Sequence, residues 1–306
     1  MTTLKAPMKA PDVIAYALLF LQGAIFGSSF FVIKVALEDF GPITVAAGRI
    51  GLGALMMLSY AMLKGERFPR DPKALMWLAL VGLTNCAIPF FLIPWGEQYL
   101  ESGQAAILMA IGPLIALVIA HFTTTDERMN RFKATGFILG FVGVLFVIGI
   151  HPVVSGIGGL LPQLAILMAA TSYAVAGAFA KHLHGISSVM MTACVLTFAS
   201  IMTVPISFIL ESPIEAALQS HSNKALLALV WLGIVPTGFT FLIRFFLIKK
   251  AGYTFVSQVG YLVPIFGVLF GMVMLNEVIT LTMVGGMVLI LVGLAISRIT
   301  RKSAAI

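Results

Sequence analysis

The stretch ERMNRFKATGFILGFVG at 127–143 returns in altered form as EVITLTMVGGMVLILVG at 277–293. Both read Glu-x8-Gly-x6-Gly: Glu127, Gly136 and Gly143 in the first copy, Glu277, Gly286 and Gly293 in the second. Each copy follows an apolar segment with one central proline, Pro113 or Pro264. The offset is 151 residues at the prolines and 150 at the glutamates. This divides the chain into two equal units, 1–150 and 151–306, joined by a Gly- and Pro-bearing linker, His151 to Gly159. A duplicated apolar unit is a mark of membrane carriers.

Composition agrees. Apolar residues make up 60% of the 306 and charged ones 10%, against about 45–50% and about 25% in soluble domains. The net charge is +7, but the basic residues punctuate apolar runs and form no stripe, so no nucleic-acid partner is expected. Cys86 and Cys194 lie inside apolar runs and read as small packing residues. A metal site needs more and better-spaced ligands, so neither metal nor cofactor is expected. Lys5 and Lys9 precede an apolar run, as in a signal peptide. That run continues to about Leu37, longer than a cleavable core of about 7–15 residues, and reads as a first span.

A helix needs about 20 apolar residues to cross about 30 Å of hydrocarbon. Ten segments meet or approach this: 13–37, 42–63, 73–95, 101–123, 132–150, 158–180, 188–210, 225–248, 253–275 and 280–298. The predicted fold is an all-α membrane protein. A barrel of alternating strands about 10 residues long is excluded. With the N-terminus in the cytoplasm, fifteen loop Lys and Arg fall inside and only Lys34 and Lys224 outside. Both termini are therefore expected in the cytoplasm. Five spans per unit is odd, so the second unit enters the membrane the other way up, giving an inverted repeat.

Further motifs follow in order: Gly27-Ser28-Ser29-Phe30-x3-Lys34, Pro42 then Arg49, Tyr99-x3-Gly103-x-Ala105-Ala106, and Ala170-x-Ser172-Tyr173-Ala174 then Lys181. With the two Glu-x8-Gly-x6-Gly copies they resemble the EamA-type repeat of the drug/metabolite transporter superfamily over nearly the whole chain. Within it the chain is most similar to YddG-type amino acid exporters. The resemblance implies a ten-helix carrier of the inner (plasma) membrane that exports metabolites, aromatic and other amino acids first, by alternating access. One departure is that Arg49 has no counterpart in the second unit, where the aligned region offers Leu196.

An ionisable side chain within a span is costly and is a functional candidate by default. Arg49 lies about 10 Å deep. It either holds a substrate carboxylate or braces helices by pairing with Glu97, Glu101 or backbone carbonyls. Arg244 is close enough to Lys249 to snorkel to the cytoplasmic surface. In the ninth span Thr254, Ser257, Gln258 and Tyr261 recur at i, i+3, i+4 and i+7 and share one face. That face is expected to point inward, as a cavity wall or as interhelical hydrogen bonding. Further cavity candidates are Gln22, Phe26 and Ser29 in the first span, Asn85 in the third, Tyr173 in the sixth, and Thr237 and Phe241 in the eighth. Pro89 and Pro94 are placed to loosen the third helix and Pro264 the ninth. Trp95 and Tyr99 suit an interfacial belt better than substrate stacking. The glycines of spans five and ten suit a scaffold, or a homodimer surface.

No carboxylate is expected at the middle of any span; Glu97 and Glu101 fall near the outer surface. That favours facilitated movement. The alternative is a proton-coupled exporter of drugs or cationic metabolites on the same fold. The chain has no His-Glu-x2-His zinc motif and no Gly-x-Ser-x-Gly elbow, so an intramembrane enzyme is a remote reading. A purely structural membrane subunit is a third, which the polar ninth span and the repeat disfavour. The expected partners are amino acids and the lipid bilayer.

Overall fold

The computed structural model describes residues 11–123, 129–149, 157–219 and 223–299. Among these there is no strand. Ten helices carry the fold: α1 Val13–Ala36, α2 Pro42–Leu63, α3 Pro72–Glu97, α4 Ser102–Thr123, α5 Arg131–Ile148, α6 Ile157–Ala180, α7 Ser188–Leu210, α8 Asn223–Ala251, α9 Tyr253–Leu275 and α10 Leu281–Ser297. Nine are long and apolar enough to cross a membrane; α10, with 17 residues, is apolar but shorter. A short helix, Pro213–Gln219, precedes α8. Many large apolar side chains are exposed, among them Leu63, Phe122, Ile209 and Leu281. On a soluble protein such surface would be a liability; on a membrane protein it faces hydrocarbon.

The helix boundaries follow from local chemistry. Asp12 accepts from Ala15 N–H at the start of α1, Asn130 from Lys133 at α5, and Ser187 from Met190 at α7. Each satisfies a donor that the first helical turn leaves unpaired. Gly149 and Gly252 close α5 and α8 with positive φ of 70° and 86°, and Asn276 closes α9 at 55°.

Helices of one unit pack mainly on helices of the other. The main cross-unit pairs are α5–α10, α2–α7, α1–α9, α3–α6, α4–α9, α4–α6, α1–α8, α2–α8 and α3–α7. An inverted two-fold that exchanges α1 with α6, α2 with α7, and so on maps this set onto itself. The repeat also appears in the backbone. Each unit interrupts its third helix with a π-turn, at Leu83–Ala87 and Val235–Phe239, starts that lie 152 residues apart.

Prolines explain both π-turns. Pro89 has no N–H to offer the Thr84 carbonyl, and the Ser172 hydroxyl of α6 donates to that carbonyl instead, at 2.7 Å. Pro236 likewise leaves the Leu232 carbonyl without its α-helical donor, and the Thr237 hydroxyl supplies one at 2.8 Å. Pro264 behaves differently. It sits inside a continuous helix, and α9 is broken earlier, at Ser257–Gln258.

The repeated glycines lie between α5 and α10. A Cβ on Gly143 would meet the Gly286 carbonyl at 2.7 Å, and one on Gly286 would meet the Gly143 carbonyl at 2.6 Å. Gly136 and Gly293 face each other in the same way. These glycines are the scaffold contact between the units, so the alternative of a homodimer surface does not fit them. Glu127, at the head of the first copy, lies outside the described residues.

Candidate substrate pathway

The bundle has two ends, one marked by Phe40 and the other by Lys64. The Phe40 end holds the α1–α2, α3–α4, α7–α8 and α9–α10 connections. The Lys64 end holds the α2–α3, α6–α7 and α8–α9 connections, and α1 and α6 start at opposite ends, as the inverted topology requires.

Arg49 is the meeting point of the interior. It is buried on α2, donates from Nε to Thr237 Oγ1 of α8 at 2.8 Å, and lays its guanidinium over the Phe90 ring of α3 at 4.0 Å. Tyr173 of α6, Cys86 of α3 and Glu97 lie within electrostatic reach. Four helices, two from each unit, therefore converge on one fixed positive charge. Its hydrogen bond goes to a hydroxyl, and neither Glu97 nor Glu101 pairs with it, so the carboxylate brace expected as one option is not the arrangement found. Guanidinium has further donors suited to a carboxylate. Thr237 is held for this contact by its own bond to Leu232, so the π-turn that Pro236 creates is what aims it.

Other expected residues lie on the helices that meet here and on α1. Tyr173 packs against two of the three buried apolar clusters and bridges them, and Phe241 packs on the second. Asn85 sits in the α3 π-turn, its amide 3.7 Å from Cys86 Sγ. Pro89 stands just past the turn, after Ile88. On α1, Gln22 is fully buried with neither amide oxygen nor nitrogen partnered. Ser29 is buried and Phe26 half-buried, close to α9 and α8. A buried amide without partners is rare in folded proteins and marks a place where a ligand or water belongs.

The polar face of α9 departs from expectation. The turn at Ser257–Gln258 breaks the helix, so Thr254 and Tyr261 stand on separate segments. Thr254 and Gln258 are exposed, and Ser257 and Tyr261 are half-buried. Arg298 from the end of α10 donates to the Ser257 carbonyl at 3.1 Å and lies 4.7 Å over the Tyr261 ring. The group sits at the Lys64 end, away from Arg49. Arg244, half-buried, leans toward Tyr253 at that same end, 6.0 Å from the ring centre, as snorkelling requires. Trp95 and Tyr99 form an edge-on pair at 5.7 Å at the Phe40 end, with Tyr99 exposed, as suits a belt. A cavity of about 480 Å³ opens at the Lys64 end between Gly65, Arg67, Phe68, Ile186 and Met190. It touches none of the expected residues.

The Phe40 end holds what the sequence reading missed. Glu277 accepts from the backbone N–H of Ser102 at 2.6 Å and Gly103 at 2.9 Å, capping α4. Glu211 accepts from Ile43 at 3.2 Å and Thr44 at 2.7 Å, capping α2. Each carboxylate comes from the second unit and caps a helix of the first. The unpaired N–H groups of a helix N-terminus and its dipole favour such anions. Glu97 ends α3 where expected, yet it is fully buried with both oxygens unpartnered. The Glu101 carboxyl is pushed above its ordinary value by burial and then by Glu277. At the Lys64 end, the hydrogen bond from Lys250 holds Asp12 below its ordinary value; the two are 2.8 Å apart.

Comparison with known proteins agrees with this architecture. A solved crystal structure shares the fold at a TM-score of 0.64, covering 93% of this chain and 98% of its own, at 16% identity. The uncharacterized transporter YoaV of Bacillus subtilis is 26% identical over 277 residues, 90% of this chain and 94% of that protein. The uncharacterized inner membrane transporter YedA of Escherichia coli K12 is 23% identical over 262 residues, 84% and 81% of the two chains. The EamA-like transporter family model matches twice, at 13–149 and 160–299. This multi-pass membrane chain, with its two units and the spans that compose them, belongs to the EamA-like transporter family.

Proposed function

We propose that this chain exports small zwitterionic metabolites, aromatic and other amino acids foremost, across the inner (plasma) membrane by alternating access. The Lys64 end, with its basic loops, lies in the cytoplasm in this reading. The observation that carries it is Arg49: one buried guanidinium shared by helices of both units, beside Tyr173 and the Asn85 turn. A zwitterion needs donors for its carboxylate and acceptors for its ammonium. Arg49 supplies the first; Gln22 and Asn85 carry carbonyl oxygens for the second. Phe90, Phe241 and Phe26 provide apolar wall for varied side chains. A single fixed cation suits a singly charged carboxylate better than a nucleotide sugar with its diphosphate. Alternating access is supported by the inverted pairing of helices, which lets the two units exchange conformations. Facilitated movement rests on the lack of a carboxylate at mid-span, and Glu97 does stand at a span end; its full burial there favours the proton-coupled alternative.

The test is uptake of a labelled amino acid panel by purified protein in liposomes. Saturable uptake of aromatic and large apolar amino acids supports the reading. Uptake no faster than in protein-free liposomes for every member removes it.

A further inference from the structure

Among the described residues, the carboxyl of Glu97 is the one buried acidic group that the scaffold does not use. Glu211 and Glu277 spend their oxygens on helix caps. Glu97 is 0% exposed, and neither oxygen has a hydrogen-bond partner among the described residues. It ends α3 directly beneath Gln98 and Tyr99, which are exposed, so one turn of chain separates it from the surface of the Phe40 end. Its backbone is wedged there: a Cβ on the neighbouring Gly96 would meet Ile166 Cδ1 of α6 at 2.8 Å and the Pro162 carbonyl at 3.0 Å.

Three charged groups face Glu97 from the elements around it: Lys34 of α1, Glu277 of the α9–α10 connection and Arg49 of α2. Glu101 precedes α4. Between 157 and 180, α6 carries no Asp, Glu, Lys, Arg or His. None of the cations closes to an ion pair with Glu97. A charged carboxylate without a donor in such a place is expensive, as breaking one side of a buried ion pair is. Calcium takes about 6–8 oxygens, and among the described residues no group of three His, Cys, Asp or Glu is placed to hold a metal. One carboxylate alone suits a proton.

We propose that Glu97 is a proton-binding site of the transport cycle, carrying its proton while the Phe40 end is closed around it and releasing it to water when that end opens. This rests on the carrier reading and adds to its cycle a step that depends on the pH of the Phe40 side. Opening releases one proton from the carboxyl oxygen and closing takes one up. By linkage, acidity on the Phe40 side then favours the closed form, by up to about tenfold in the closed-to-open ratio per pH unit. Glu97 lies near Arg49's field, so the same event alters how firmly a substrate carboxylate is held.

The test uses the full-length protein in liposomes and a hydrophobic carbodiimide, which adds to a protonated carboxyl and leaves an N-acylurea that peptide mass spectrometry locates. Labelling of Glu97 that rises as the pH is lowered supports the proposal. Glu97 unlabelled at every pH overturns it. Infrared difference spectra give a second reading. A pH-dependent protonated-carboxyl stretch that is lost in Glu97→Gln and kept in Glu101→Gln supports it; a stretch unchanged in Glu97→Gln overturns it. Neither measurement needs a substrate, so failure of amino acid uptake and failure of proton binding are read separately.

Discussion

Glu277 accepts the backbone N–H of Ser102 at 2.6 Å, so a side chain of the second unit caps the fourth helix of the first. The second oxygen takes Gly103, at 2.9 Å. Losing a charge-assisted bond to buried donors costs about 1.5–3 kcal/mol. Glu277→Ala should lower the thermal midpoint in detergent clearly, and Glu277→Gln, which keeps one acceptor, should lower it less. Equal midpoints for parent and Glu277→Ala would show that the cap contributes nothing.

Gly285 and Gly286 are neighbours with opposite surroundings. A Cβ on Gly285 meets nothing within 4 Å, whereas one on Gly286 meets the Gly143 carbonyl at 2.6 Å. Overpacking a tight contact costs about 1–3 kcal/mol. Gly286→Ala should therefore reduce folded yield and thermal midpoint, and Gly285→Ala should match the parent. If the two variants behave alike, the α5–α10 contact is looser than the geometry states.

The Asp12–Lys250 bridge gives a pH dependence. Its carboxyl is held below the ordinary value of 3.8, so the folded form favours the ionised group. The stabilisation is then fully present above that value and disappears as the pH falls through the lower folded value. Asp12→Asn keeps a helix-capping oxygen and removes the charge. The parent should melt above Asp12→Asn at neutral pH, and the difference should vanish at strongly acidic pH. A difference that persists there would assign the effect to capping instead.

Topology has its own test. With both native cysteines removed, Glu38→Cys and Val278→Cys should react with an impermeant thiol reagent added outside cells. Arg70→Cys and Lys249→Cys should react only after permeabilisation. Labelling of Lys249→Cys from outside would reverse the assignment of the two ends.

Much of the fold is legible in the sequence because a bilayer leaves the chain few options. Apolar runs of spanning length must be helices, and the Glu-x8-Gly-x6-Gly copies reveal the duplication. Caps such as Asp12, Asn130 and Ser187 stand where the helices begin. The site is less legible. Pro89 announces a weak point in α3, but only the structure shows that Ser172 fills the gap it leaves. The α9 face read as continuous because period alone cannot show the turn at Ser257–Gln258. Glu97 sits at a span end, where sequence predicts water; it is buried where α6 and α1 pack on α3 from far along the chain.

Arg49 carries the central claim, and Leu196 in the equivalent region of the second unit shows that an apolar side chain is accommodated in such a place. The most direct measurement is counterflow: liposomes loaded with unlabelled phenylalanine, tested for uptake of the labelled form by parent and Arg49→Leu at matched reconstitution. The account predicts rapid counterflow by the parent and an apparent affinity weakened about 10- to 100-fold in Arg49→Leu, the loss of one charge-assisted contact. Counterflow by the Arg49→Leu protein equal to that of the parent would contradict it.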